Sequence, residues 1–71
     1  MMIYFGSWPL GRNIRLYRQR MYISCEKLAR LVGMDPRDLR LIEKGLLQDI
    51  HYDHLEALAH TLGTTQEKLM G

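Results

Sequence analysis

The sequence holds one cysteine, two prolines, one tryptophan and one phenylalanine in 71 residues. A lone cysteine excludes an internal disulfide framework and fits a reducing, cytoplasmic setting. No apolar run approaches the length needed to cross a bilayer, and no charged-then-apolar leader opens the chain, so neither a membrane span nor a secretory signal is expected. There is no Ser-His-Asp set, no paired carboxylates and no phosphate-binding glycine loop, and a chain this short leaves no room for a cleft between domains. An enzyme is therefore not expected. His51, His54 and His60, with Asp53 adjacent, lack a nearby cysteine and an evident fourth ligand, so neither a metal nor any other cofactor is expected.

What is present fits one small domain. A chain of this length buries only about 60% of its unfolded surface, and a compact helical bundle is its economical solution. The five methionines read as core fillers. The formal net charge of +2 hides an asymmetry: residues 1–45 hold nine of the ten Lys and Arg, residues 46–71 one. With four acids in each part, the front carries +5 and the back −3. That polarity suggests one face turned toward an anion.

The centre of the chain is Cys25 to Gly45, CEKLARLVGMDPRDLRLIEKG. Leu28, Ala29 and Val32 form one face of a first short helix, and Leu39 and Ile42 one face of a second, at helical spacing. Ala29 is small enough for a second helix backbone to cross close to it. Gly33 stands where the chain turns sharply and needs a residue that tolerates positive φ. Ser24 is placed to cap the first helix, with Ile23 stapled onto Leu28. Asp35 caps the second and Pro36 is its first helical residue, with Met34 stapled onto Leu39; Gly45 stops it. Two short helices about a glycine turn make a helix-turn-helix unit, whose second helix enters the major groove of DNA.

The stretches LGRNIRLYRQR, ISCEKLARLVGM, LRLIEKG and LEALAHTLGTTQEKL together resemble the Cro and phage-repressor (Xre-like) type of helix-turn-helix domain, over about residues 10 to 70. The resemblance implies an all-α, five-helix bundle of the lambda-repressor-like kind, with 10–71 as the DNA-binding domain; residues 1–9, which do not belong to the family pattern, make a short apolar N-terminal arm. Helix one runs from Leu10 to Met21, with Leu10, Ile14, Tyr17 and Met21 facing the core. Helices two and three are Cys25 to Val32 and Pro36 to Lys44. Leu46, Leu47 and Ile50 lie in an apolar loop, either packed down or part of a dimer surface. Helix four is Tyr52 to Thr61, with Leu55, Leu58, Ala59 and Leu62 inward; Thr64 or Thr65 caps helix five, which ends at Leu69 and Met70. The arm, MMIYFGSWP, is β-prone. It either folds onto the bundle, with Trp8 plugging a gap, or pairs with its copy in a dimer.

The resemblance also implies function: sequence-specific binding of double-stranded DNA through helix three, regulation of transcription, and a homodimer. In such relatives the residues matching Arg18 and Glu43 form an ion pair from helix one to the end of helix three. Pro36, Arg37 and Leu41 stand at base-facing positions, Lys44 at a backbone-facing one, with Arg40 in reach of phosphate. Of these, Arg37 alone reads a base edge well, because its rigid fork matches guanine O6 and N7. Asp38 is placed either to pair with it or to repel phosphate. Cys25 replaces a glutamine that touches phosphate; there the helix N-terminus still offers backbone donors, and its dipole would lower the thiol's pKa. Tyr22 stands where relatives have glycine, so that turn is expected to be strained or reshaped. The alternative function is a protein-interaction module, an antitoxin or adaptor that retains the fold.

Overall fold

The computed structural model describes residues 3–5, 8–47 and 49–71. In chain order the elements are β1 (Ile3–Phe5), α1 (Trp8–Arg20), α2 (Cys25–Val32), α3 (Pro36–Glu43), β2 (Asp49–His51), α4 (Tyr52–Thr61) and α5 (Gln66–Met70). The five expected helices are present. The largest boundary change is in α1, which starts at Trp8, ahead of Leu10, so Pro9 sits in its first turn and not at the end of the arm. The packing expected of the Trp8 side chain, and the Gly6-Ser7 break, lie outside the described residues.

The bundle carries a two-stranded antiparallel ribbon in addition. β1 pairs with β2 in the register Ile3 to His51, Tyr4 to Ile50 and Phe5 to Asp49. The arm thus meets its hydrogen-bonding partner within its own chain. The apolar loop is only partly packed down: Ile50 is buried, Leu47 half-buried, and Leu46 is 72% exposed.

The caps form as their residue types dictate. Ser24 accepts a hydrogen bond from the Lys27 amide at 3.0 Å, Asp35 from the Arg37 amide at 2.9 Å, and Thr65 from the Lys68 amide at 3.1 Å. Gly33 takes φ 76° between α2 and α3, and the Met34 amide closes the turn onto the Ala29 carbonyl at 2.8 Å. Leu28, Ala29 and Val32 of α2 and Leu39 and Ile42 of α3 are buried, with Leu10, Ile14, Leu55, Leu58, Leu62 and Leu69 completing one core. Met21 is a correction. It is 44% exposed because α1 has ended at Arg20 and the chain turns away before Met21 can follow the helical stripe.

Gly11 fixes how α1 crosses α3. A Cβ there would fall 1.9 Å from the Ile42 carbonyl oxygen, so only glycine permits the approach. α1 is also tied to α5 by Asn13, whose side-chain amide donates to the Leu69 carbonyl at 2.9 Å. That bond serves a carbonyl at the end of α5 that the helix itself cannot satisfy.

Candidate nucleic-acid interface

α3 buries Leu39 and Ile42, which leaves Arg37, Arg40, Leu41 and Lys44 on the opposite side. Arg37 and Lys44 stand roughly 10 Å apart along the helix axis. Pro36 is half-buried at the helix start, and Lys44 is the C-terminal cap residue, just beyond the last helical residue Glu43. The candidate residues on α3 therefore share one exposed ridge, with Cys25 at the head of the neighbouring helix.

The arginines on that ridge are not bare. Arg37 Nη2 lies 3.4 Å from Asp35 Oδ2, so its partner is the capping aspartate and not Asp38. Arg40 Nη2 donates to Glu26 Oε2, bridging α3 to the first turn of α2. Glu26 is held below the ordinary carboxylate range by its own backbone amide first and by Arg40 second. Asp35 is held low by the Arg37 amide and then by the Arg37 side chain. Exposed pairs of this kind add little to stability and are easily exchanged for another anion.

Beneath the ridge, Arg18 and Glu43 form a two-point clamp: Arg18 Nε to Glu43 Oε2 and Arg18 Nη2 to Glu43 Oε1, both 2.9 Å. A third donor, Nη1, reaches the Ile23 carbonyl at 3.0 Å. The hydrogen bond to Glu43 is also the main cause that raises the Arg18 pKa. One guanidinium thus ties α1, the turn before α2 and the end of α3 together, which fixes the angle at which the ridge is presented.

Cys25 departs from expectation. Its thiol is pushed up to about 11, first by burial and then by the nearby Glu43 carboxylate. The Arg18 and Arg40 charges act in the opposite sense without reversing this, and the thiol is a neutral, half-buried group at the edge of the ridge. His51 and His54 meet edge to face with ring centroids 5.7 Å apart. Among the described residues no group of three potential ligands converges on a point, and no helix is long and apolar enough to cross a membrane.

Two residues next to the ridge escape sequence reasoning. Arg12 and Arg15 of α1 line a cavity of about 310 Å³ together with Lys44. Their spacing marks them only as lying off the core face of α1; the crossing made possible by Gly11 is what brings them to the end of α3.

The chain belongs to the helix-turn-helix domain family, whose model matches residues 9–69. Solved structures of the same architecture are regulators. The N-terminal DNA-binding domain of SinR from Bacillus subtilis superposes with a TM-score of 0.86 at 25% identity, over 92% of this chain and 94% of that one. SinR, described as the master regulator for biofilm formation and crystallised in complex with DNA, gives 0.82 at 26% identity, over 87% and 98%. A hypothetical transcription factor from Neisseria gives 0.78 at 31% identity, over 87% and 70%. The restriction-modification controller protein C.AhdI from Aeromonas hydrophila gives 0.77 at 26%, over 86% and 91%. No curated protein matches the chain.

Proposed function

We propose that the chain binds double-stranded DNA sequence-specifically, lays α3 in the major groove and regulates transcription as a homodimer. The observation that carries this is the ridge: a cationic helix face, Arg37, Arg40, Leu41 and Lys44, exposed on the second helix of a helix-turn-helix unit whose other face is fully engaged in the core. A relative of the same architecture, SinR, is solved with DNA. In this reading Arg37 leaves Asp35 for a guanine edge, Leu41 and Pro36 make apolar contacts with bases, and Lys44 and Arg40 take phosphates. The α2 N-terminus at Cys25 supplies a backbone donor to a further phosphate.

The test separates base reading from phosphate binding. Arg37→Ala should cost about 1–3 kcal/mol on a selected operator and relax preference at one base pair in each half-site. Lys44→Ala should weaken all duplexes alike and shallow the salt dependence by about one unit for each phosphate no longer neutralised. An unchanged ranking of operator variants by Arg37→Ala would remove Arg37 from base readout. No binding of any duplex at low salt would overturn the function itself.

One observation favours a second reading, a protein-interaction module. A groove of about 590 Å³ runs between α4 and α5, lined by Tyr52, Leu55, Ala59, Thr64 and Met70 among others. In the DNA-binding reading this side, away from α3, is where a second copy docks, since an interface on α3 would cover the DNA surface. In the alternative it receives a different protein. Sedimentation of the chain alone distinguishes the two: a dimer supports self-association, and a monomer that binds no duplex supports the alternative.

A further inference from the structure

The cavity beside the ridge has an electrostatic character that the core does not require. It is about 310 Å³ and lined by Arg12, Arg15, Glu43, Lys44 and Gly45. The acid in that lining, Glu43, is 7% exposed at the side chain and clamped at 2.9 Å by Arg18, so its charge is already balanced. Three residues with cationic side chains, Arg12, Arg15 and Lys44, line the same opening.

Such cations at the end of α3 have a plain structural explanation, since a helix C-terminus attracts positive charge. Its magnitude is small: the dipole there is equivalent to about half a negative charge, less than one cation carries. The terminal carbonyls are in addition already served from the backbone. The Lys44 amide donates to Arg40 at 3.1 Å, Gly45 to Ile42 at 3.0 Å, and Leu46 to Leu41 at 2.9 Å. Like charges held together by the crossing of α1 over α3 focus a positive potential on the opening and favour an anion there.

We infer that this niche seats a backbone phosphate of duplex DNA, held by Arg12 and Arg15 of α1 with Lys44 of α3. The inference rests on the DNA-binding reading and extends its footprint beyond the two helices of the motif. The volume suits the ligand: at about 30 Å³ per water, the niche admits a phosphodiester group with several waters. Arginine forks match phosphate oxygens in pairs. Lys44 belongs to both the niche and the ridge, so the seat lies roughly 10 Å along the helix from Arg37. That is about three base steps at 3.4 Å per step, a separation one duplex can satisfy at both points.

The experiment is the salt dependence of binding to a random-sequence duplex between about 50 and 200 mM salt, for the intact chain and for Arg12→Gln/Arg15→Gln. The double variant, its folded state at the assay temperature checked by its melting curve, should lose about 0.9 from the slope of log affinity against log salt, the share of one phosphate. Over that range it forfeits roughly threefold of the affinity the parent gains on dilution. Arg20→Gln, which removes a cation from the far end of α1, should keep the parent slope. Arg15→Gln alone is the milder form of the same test. A double variant with the parent slope, in a protein that binds duplex, overturns the niche and leaves the function standing. A parent that binds no duplex overturns both. A third arm follows the Gly45 amide by NMR: it should shift with duplex and stay in place with inorganic phosphate alone. Saturation by inorganic phosphate would make the niche a free-anion site and overturn the assignment to DNA.

Discussion

Tyr22 adopts φ 58° with 95% of its surface in solvent. A side-chain-bearing residue in that left-handed region costs about 1–2 kcal/mol, and here no packing offsets it. Tyr22→Gly should therefore raise stability by about 1 kcal/mol, read from the denaturant midpoint at an unchanged m-value. A lowered midpoint would show that the exposed ring contributes something its surface position hides. Arg18 works in the opposite sense. Arg18→Ala strands a buried carboxylate, at a cost of about 3 kcal/mol or more, and should lower the melting temperature well beyond Arg20→Ala; equal melting temperatures would contradict the clamp. Both residues are legible in the sequence, Tyr22 as a glycine position occupied by something else and Arg18 through the resemblance. Cys25 is not. Its helix position argues for a lowered pKa, and what raises it is burial together with Glu43, a charge delivered by another element.

Among the elements, the caps make α2, α3 and α5 readable, because Ser24, Asp35 and Thr65 each satisfy an amide of the first turn. The ribbon of β1 and β2 is not readable as a pair. Strands this short carry too little alternation to show a register, and their partnership joins distant parts of the chain. Residue size points to Ala29 as a place of close crossing; Gly11 is a further one that the residue type alone does not reveal. Helix propensity alone says that Gly11→Ala should stabilise α1 by about 0.5–1 kcal/mol. The Ile42 carbonyl oxygen, 1.9 Å from the new Cβ, reverses that sign. The expected outcome is a loss of about 1–3 kcal/mol or more, as overpacking typically costs. A variant that melts higher than the parent would mean that α1 sits farther from α3 than described.

At the scale of the molecule, the charge asymmetry read from composition acquires a location. The +5 of residues 1–45 falls on α1, α2, α3 and the cap residues of α3, the elements that carry the ridge and the niche, and the −3 of residues 46–71 lies on β2, α4 and α5. The ridge itself is legible from helical spacing. Its electrostatic state is not, because Glu26 and Asp35 reach Arg40 and Arg37 from outside α3. In the proposed function, these pairs mean that DNA binding would exchange one anion for another at each arginine. The gain at those positions would then come from bidentate geometry, not from the first meeting of free charges.

The central claim is that the α3 ridge is the surface that meets duplex DNA. The most direct measurement is a titration of the isotopically labelled chain with duplex DNA, following backbone amides residue by residue. The account predicts shifts concentrated at Cys25 and from Arg37 to Gly45, with Arg12 and Arg15 following as the niche fills. Shifts confined to the α4–α5 groove around Leu55, Ala59 and Thr64, with the ridge unmoved, would contradict it.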